Sequence, residues 1–234
     1  MKTKKCFIIA VNLFLSLLLV NLQSCETEEL ITGTVEDPDG RTYITVVIGD
    51  QTWMAENLAY IPHVSHPGED GGIWVYDYDG NYVETAKKTN NYKKYGCLYN
   101  WEMAKSSCPD GWRLPSDEEW KTMEKSFGMS QSEADKTGWR GLHEGYLLKS
   151  ENLWLENGGG VENSLFEGLP GGLRYSLPYS RGFFEHIGRY GDWWTATETS
   201  DTTAWSRGLH LDYDQVYRGK EDKEGGRSVR CIKD

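Results

Sequence analysis

The stretch Cys108-Pro109-Asp110-Gly111-Trp112-Arg113-Leu114-Pro115-Ser116-Asp117-Glu118-Glu119-Trp120 carries the most decisive local signal in the chain. Ser116 followed three residues later by Glu119 is a capping box. The serine hydroxyl accepts from the Glu119 amide while the glutamate reaches back to the serine amide, so two orphan helix donors are satisfied together. Trp120, Met123 and Phe127 then recur at i, i+3 and i+7, which gives the helix one apolar face, and Gly128 predicts its end.

Working outward toward the N-terminus, structure starts near Gly33-Thr34-Val35, and Asp37-Pro38-Asp39-Gly40 is a turn signal. Residues 42–48 have strand composition, Gly49-Asp50 fits a two-residue hairpin loop, and residues 51–54 read as the returning strand. Residues 61–95 read as irregular, with His63, His66 and a Tyr-rich stretch at Tyr76, Tyr78 and Tyr82; a long insert of this kind is usually functional or mobile. A short helix is predicted over 99–105 and a weaker helical turn over 131–136. Toward the C-terminus, residues 193–197, 204–211, 215–218 and 228–232 are candidate strands, with Asp212-Tyr213-Asp214 as a turn. The pattern implies an α+β domain, β-rich with two helices.

Ten Trp, fourteen Tyr and 26 Gly imply short strands and tight turns around large aromatics. Trp53, Trp101, Trp112, Trp120 and Trp193 sit in patterned segments and are assigned to the core. Arg113 and Arg230 are assigned structural roles, hydrogen-bonding carbonyls or pairing with a carboxylate at the sheet.

The chain opens on Met1-Lys2-Thr3-Lys4-Lys5, followed by an apolar run interrupted by Asn12 and stopped at Asn21, which reads as a secretory signal peptide. Leu22-Gln23-Ser24-Cys25 resembles the bacterial lipobox, so Cys25 is the expected lipidation site and residues 1–24 the expected leader. Residues 25–33, with Glu26-Thr27-Glu28-Glu29, read as an acidic spacer. They resemble the export signals that carry Bacteroidetes-type lipoproteins to the outer surface; a periplasm-facing anchor is the alternative. Loss of residues 1–24 removes three lysines and leaves 22 basic against 36 acidic residues, a net charge of −14. That field disfavours nucleic acid and anionic lipid. Cys97, Cys108 and Cys231 then remain in a compartment where disulfides persist, and an odd number leaves at least one free or paired between chains.

Seven ordered segments together resemble one family. They are Gly40-Arg41-Thr42-Tyr43 with the run from Val47 to Leu58, Tyr95-Gly96-Cys97-Leu98-Tyr99-Asn100-Trp101, the Cys108–Trp120 stretch, Leu169-Pro170-Gly171-Gly172-Leu173-Arg174-Tyr175, Trp193-Trp194-Thr195-Ala196-Thr197-Glu198, and Ser228-Val229-Arg230-Cys231-Ile232-Lys233-Asp234. The chain is similar over roughly 34–234 to the Fibrobacter succinogenes major paralogous domain. The resemblance implies a C-type-lectin-like, formylglycine-generating-enzyme-like fold, a twisted antiparallel sheet with two short helices and long loops. It also implies a Cys108–Cys231 disulfide, which would stabilise by ~4 to 5 kcal/mol in a chain-entropy estimate. Cys97 departs from the family pattern and is expected to be the free thiol.

Sites are harder to read. Asp77-Tyr78-Asp79-Gly80-Asn81 resembles the start of a calcium loop, yet the twelfth position is Lys88, so a turn is expected. His63 and His66 are flanked by Pro62 and Pro67 and complete no zinc set. No nucleophile elbow is present, and neither metal nor cofactor is expected. Residues 175–191 and 198–203 are the expected ligand surface, with Tyr175, Tyr179, Arg181, Glu185, Arg189, Tyr190 and Glu198 as candidate contacts. The expected function is a surface-exposed lipoprotein binding or adhesion module for polysaccharide or a partner protein. Its membrane contact would be through the lipid anchor. The alternatives are a formylglycine-generating-enzyme-like oxidase and a structural component of a surface assembly.

Overall fold

A computed structural model describes residues 33–176 and 183–234 in full and the backbone of 2–8, 23–29 and 32. It divides into two units, Met1–Thr32 and Gly33–Asp234. In the first, Lys2–Ile8 pairs antiparallel with Gln23–Glu29, Cys6 opposite Cys25. Glu26–Glu29, read as spacer, thus lie in a strand, with Glu29 opposite Lys2 and Glu26 opposite Lys5 in the register. The Cys25 side chain and residues 9–22, most of the apolar run expected to form a leader, lie outside the described residues.

The second unit is built on two antiparallel sheets. One has five strands in the order Thr32–Glu36, Thr42–Ile48, Gln51–Met54, Ile232–Lys233 and Trp112–Arg113. Its hairpin turns at Gly49-Asp50 as the sequence predicts, with Gly49 at positive φ. The other has four strands in the order Tyr190–Glu198, Thr203–His210, Val216–Asp222 and Gly138–Arg140. Gly138–Arg140 was not anticipated, because three residues are too few for alternation to register.

Helix Asp117–Ser126 carries the complete capping box, and Glu119 also takes a bidentate bond from Arg113 at 2.8 and 2.6 Å. Among the described residues there are six α-helical segments rather than the two helices and one weaker turn expected, the turn being found at Gln131–Ala134. Val83–Ala86, Asn90–Tyr95 and Glu144–Leu148 were missed. Each is under two turns, and the local signal is at most one cap, such as Thr89 accepting from the Tyr92 amide at 3.2 Å. The helix expected over 99–105 runs Trp101–Ser106, since Asn100 is its cap and Tyr99 belongs to a strand.

Asp117, Lys121 and Glu124 are buried on the capped helix; Lys121 pairs with Glu118 and Asp135, and the two carboxylates meet the arginines of the four-stranded sheet. Glu124, fully buried, accepts from Arg140 at 2.8 and 2.8 Å and from Arg207 at 2.7 Å. Asp117 accepts from Arg218 at 2.9 and 2.7 Å. Around this network Trp53, Trp120, Phe166 and Trp193 pack edge to face or tilted, with centroids 5.3 to 6.3 Å apart, joining the hairpin, the helix and the sheet. Trp53, Trp101, Trp120 and Trp193 are core as expected, whereas Trp112, near the edge of its sheet, is only half-buried. Arg230 donates to the carbonyls of Met54, Phe166 and Glu167 and to Asn57. Cys108 and Cys231 are disulfide-bonded, and Cys97 is a buried free thiol.

Candidate functional site

Alternation along the four-stranded sheet sorts its side chains onto two faces. Tyr190 lies opposite His210, Asp192 opposite Gly208, Gly208 opposite Tyr217, and Tyr217 opposite Trp139. These share a face with Ser206, Gly219 and Glu221. The arginines that bind the capped helix occupy the other face, so their salt network fixes which face the aromatics present.

Two glycines make the aromatic face possible. A Cβ on Gly208 would fall 1.8 Å from the Tyr190 hydroxyl, and one on Gly219 would fall 2.4 Å from the Tyr217 ring. Bare backbone at both positions lets the rings lie down against the sheet. The short Leu173–Arg174 strand brings Leu173 and Tyr175 to the same place. Arg174 anchors it: buried, stacked 4.0 Å over Trp74, it donates to the carbonyls of Pro67, Glu69 and Glu224.

The result is an open cleft of about 350 Å³, at the lower end of the range for small-ligand sites. Its rings form a continuous chain of contacts. Tyr175 meets His186 at 6.5 Å, His186 meets Tyr190 at 6.5 Å, and Tyr190 meets His210 at 6.1 Å and Trp139 at 6.4 Å. Trp139 meets Tyr217 at 5.2 Å. The floor is polar. Arg227 donates to Asp192 at 2.7 Å and to Glu221 at 2.6 Å, and its guanidinium lies 4.5 Å from the Trp194 ring centroid. Asp192 Oδ1, the nearby Ser206 hydroxyl and Arg227 Nη1 are buried without a hydrogen bond of proper distance and angle to protein, a costly arrangement in a fold that satisfies most of its polar groups.

The floor also shapes protonation. Burial, assisted by the Glu221 charge, pushes the Asp192 carboxyl up to about 7 against the pull of Arg227 and Ser206. Burial works against the Arg227 charge, but Asp192 and Glu221 outweigh it and hold its pKa above the ordinary value. Burial raises Tyr190, and the Asp192 charge adds to it. Burial lowers His210, opposed by Asp212.

Of the side chains singled out from the sequence, Tyr175 and Tyr190 line this cleft. Glu185 sits beside it, 3.4 Å from His186. Arg189 pairs with Glu156 at 2.5 Å, and Glu198 pairs with Lys223 at 2.6 Å at the far end of its strand, so neither belongs to the cleft lining. Tyr179 and Arg181 lie outside the described residues. His66 and Asp79, considered separately in the sequence, meet at 2.7 Å in a second hollow that also includes Phe183 and Phe184.

Trp139, Asp192, His210, Tyr217, Glu221 and Arg227 escaped the sequence reading, which favoured loops. The available signal was a glycine inside each of two aromatic strands, Arg207-Gly208-Leu209 and Arg218-Gly219-Lys220, a mark of close approach. No curated protein and no solved structure matches this chain. The sequence model of the Fibrobacter succinogenes major domain matches residues 46–233, which include every residue of the cleft. The chain belongs to the Fibrobacter succinogenes major domain family.

Proposed function

We propose that the domain is a non-catalytic binding module for polysaccharide, that its ligand lies in the Trp139–Tyr190–Tyr217 cleft, and that lipidation at Cys25 displays it on the outer surface. The observation that carries the reading is a wall of touching rings above a carboxylate floor. Aromatic faces bury the C–H face of a sugar ring, and the part-exposed Glu221 carboxylate can accept from its hydroxyls. The antiparallel sheets, short helices and long connections support a C-type-lectin-like arrangement as the scaffold.

The cleft does contain two carboxylates, which is what a glycoside hydrolase needs. Both, however, are ion-paired to the same guanidinium, and Asp192 is almost completely buried, which favours binding over proton transfer to a substrate. The oxidase alternative needs two reactive thiols. Cys108 and Cys231 are bonded to each other, and burial raises the Cys97 thiol well above the ordinary cysteine range, leaving it un-ionised near neutrality.

The test is a glycan array followed by calorimetry on the domain from residue 33, with Tyr217→Ala and Trp139→Ala as cleft variants. Binding to at least one glycan, lost in both variants while the far-ultraviolet spectrum is kept, is the expected outcome. Capture of a protein but no glycan would replace polysaccharide by a protein partner, and turnover of a bound glycan would replace binding by hydrolysis. Palmitate labelling lost in Cys25→Ser, and protease accessibility on whole cells, test the anchor and its address.

A further inference from the structure

The charges around the cleft narrow its ligand class, an inference that rests on the carbohydrate reading above. Among the described residues Arg227 is the one arginine or lysine lining it, and that guanidinium is buried and already committed to Asp192 and Glu221. An incoming anion therefore meets two carboxylates around one neutralised cation. The described cations nearby offer no substitute. Lys149 is buried and donates to the carbonyls of His210 and Tyr213, and Arg189 is held by Glu156. The two histidines do not reverse the balance: His186 stands 3.4 Å from the Glu185 carboxylate, and His210 stands 3.6 Å from Asp212.

An acidic excess beside aromatic rings also describes cation sites, so ring placement has to decide. Rings that hold an ammonium group stand on opposite sides of it, each with its centroid within about 6 Å of the charge. Here Tyr175, His186, Tyr190, Trp139 and Tyr217 follow one another with centroids 5.2 to 6.5 Å apart, the spacing of rings in mutual contact. The arrangement is a wall rather than a cage, suited to a flat sugar ring lying along it.

We propose that the cleft selects neutral glycans over acidic sugars such as uronates and sulfated sugars. Asp192 and Glu221 enforce the exclusion of anions, and the ring wall provides the common affinity.

The experiment uses matched oligosaccharides that share a backbone and differ in charge: the array-positive glycan and its uronate or sulfated form. Calorimetry at pH 8, where Asp192 is ionised, gives the comparison. The neutral member is expected to bind at least about tenfold more tightly than the acidic one at low salt, with the gap narrowing as salt screens the carboxylates. Glu221→Gln should shrink that gap several-fold. Tyr217→Ala should abolish binding of the neutral member.

The acidic member binding as tightly as the neutral one, with Tyr217→Ala still abolishing binding, would overturn the selection rule and leave the carbohydrate cleft standing. Loss of preference for the neutral member at low salt in the unmodified protein has the same meaning. Absence of binding by every member, or binding untouched by Tyr217→Ala, would instead refute the cleft reading and the selection rule with it.

Discussion

Replacing both Cys108 and Cys231 by Ala tests how the domain holds its end in place. The bond closes a segment with a sequence separation of 123 residues. In the chain-entropy treatment a crosslink of that span removes about 16 cal/mol/K from the unfolded chain, which is about 5 kcal/mol at 25 °C. For a domain near 200 residues this corresponds to a drop in Tm of roughly 10 to 20 °C. Urea unfolding of three samples separates that term from local packing: oxidised wild type, wild type reduced under denaturing conditions and refolded in reductant, and the double variant. Reduced wild type and variant should lose similar stability and gain a larger m-value, because the released unfolded chain exposes more surface. The variant should lose slightly more, since Cys231 is fully buried and its sulfur fills core space. A loss under about 1 kcal/mol in both, with m unchanged, would refute the claim that the crosslink acts by restricting the unfolded chain.

Three further perturbations probe other parts of the argument. Glu124→Gln leaves Arg140 and Arg207 with a neutral partner in a buried site and should cost about 3 to 5 kcal/mol by urea titration; a loss below 1 kcal/mol would mean the arginines find other partners. Ser116→Ala removes the cap hydroxyl and should cost about 1 kcal/mol, visible as a Tm drop of a few degrees. The pH dependence has two limbs of opposite origin. Burial raises Asp117, but Arg218 and Arg207 outweigh it and hold the carboxyl at about 2, below its ordinary 3.8, so its stabilisation is present above that ordinary value and is lost as pH falls through about 2. Asp192 is the reverse. Raised to about 7, it favours the folded state below pH 3.8, and that contribution is lost as pH rises through about 7; Asp192→Asn should flatten this upper limb and leave the acid limb in place. An unchanged upper limb in Asp192→Asn would assign it to another group.

The parts of the fold legible in the sequence were those with a short-range grammar. Ser116 and Glu119, the Gly49-Asp50 loop, and the Trp120 and Met123 stripe each express their geometry within a few residues, and each is found as expected. The Cys108–Cys231 bond was legible through the family resemblance alone, since an odd set of three cysteines allows several pairings. The cleft was less accessible for a physical reason: it is a property of register. Tyr217 meets Trp139 because Val216–Asp222 pairs with Gly138–Arg140, a strand of three residues with no signal of its own. Asp192 sits between Gly191 and Trp193 and looks like part of a core strand until its cross-strand neighbour is known to be Gly208. Tyr175 and Tyr190 were found because they flank a long loop, and Glu198 was included for the same reason although its carboxylate serves Lys223.

The placement of Ile232–Lys233 has a consequence for biosynthesis. These residues enter the five-stranded sheet between Gln51–Met54 and Trp112–Arg113, so the sheet is split until they arrive. A nascent chain that has not yet exposed Cys231–Lys233 would hold two unjoined sheet edges and a Cys108 with no mate. Closure of the N-terminal hairpin onto Trp112–Arg113 therefore waits on a segment made more than a hundred residues later, and the domain cannot lock into its final form one end at a time.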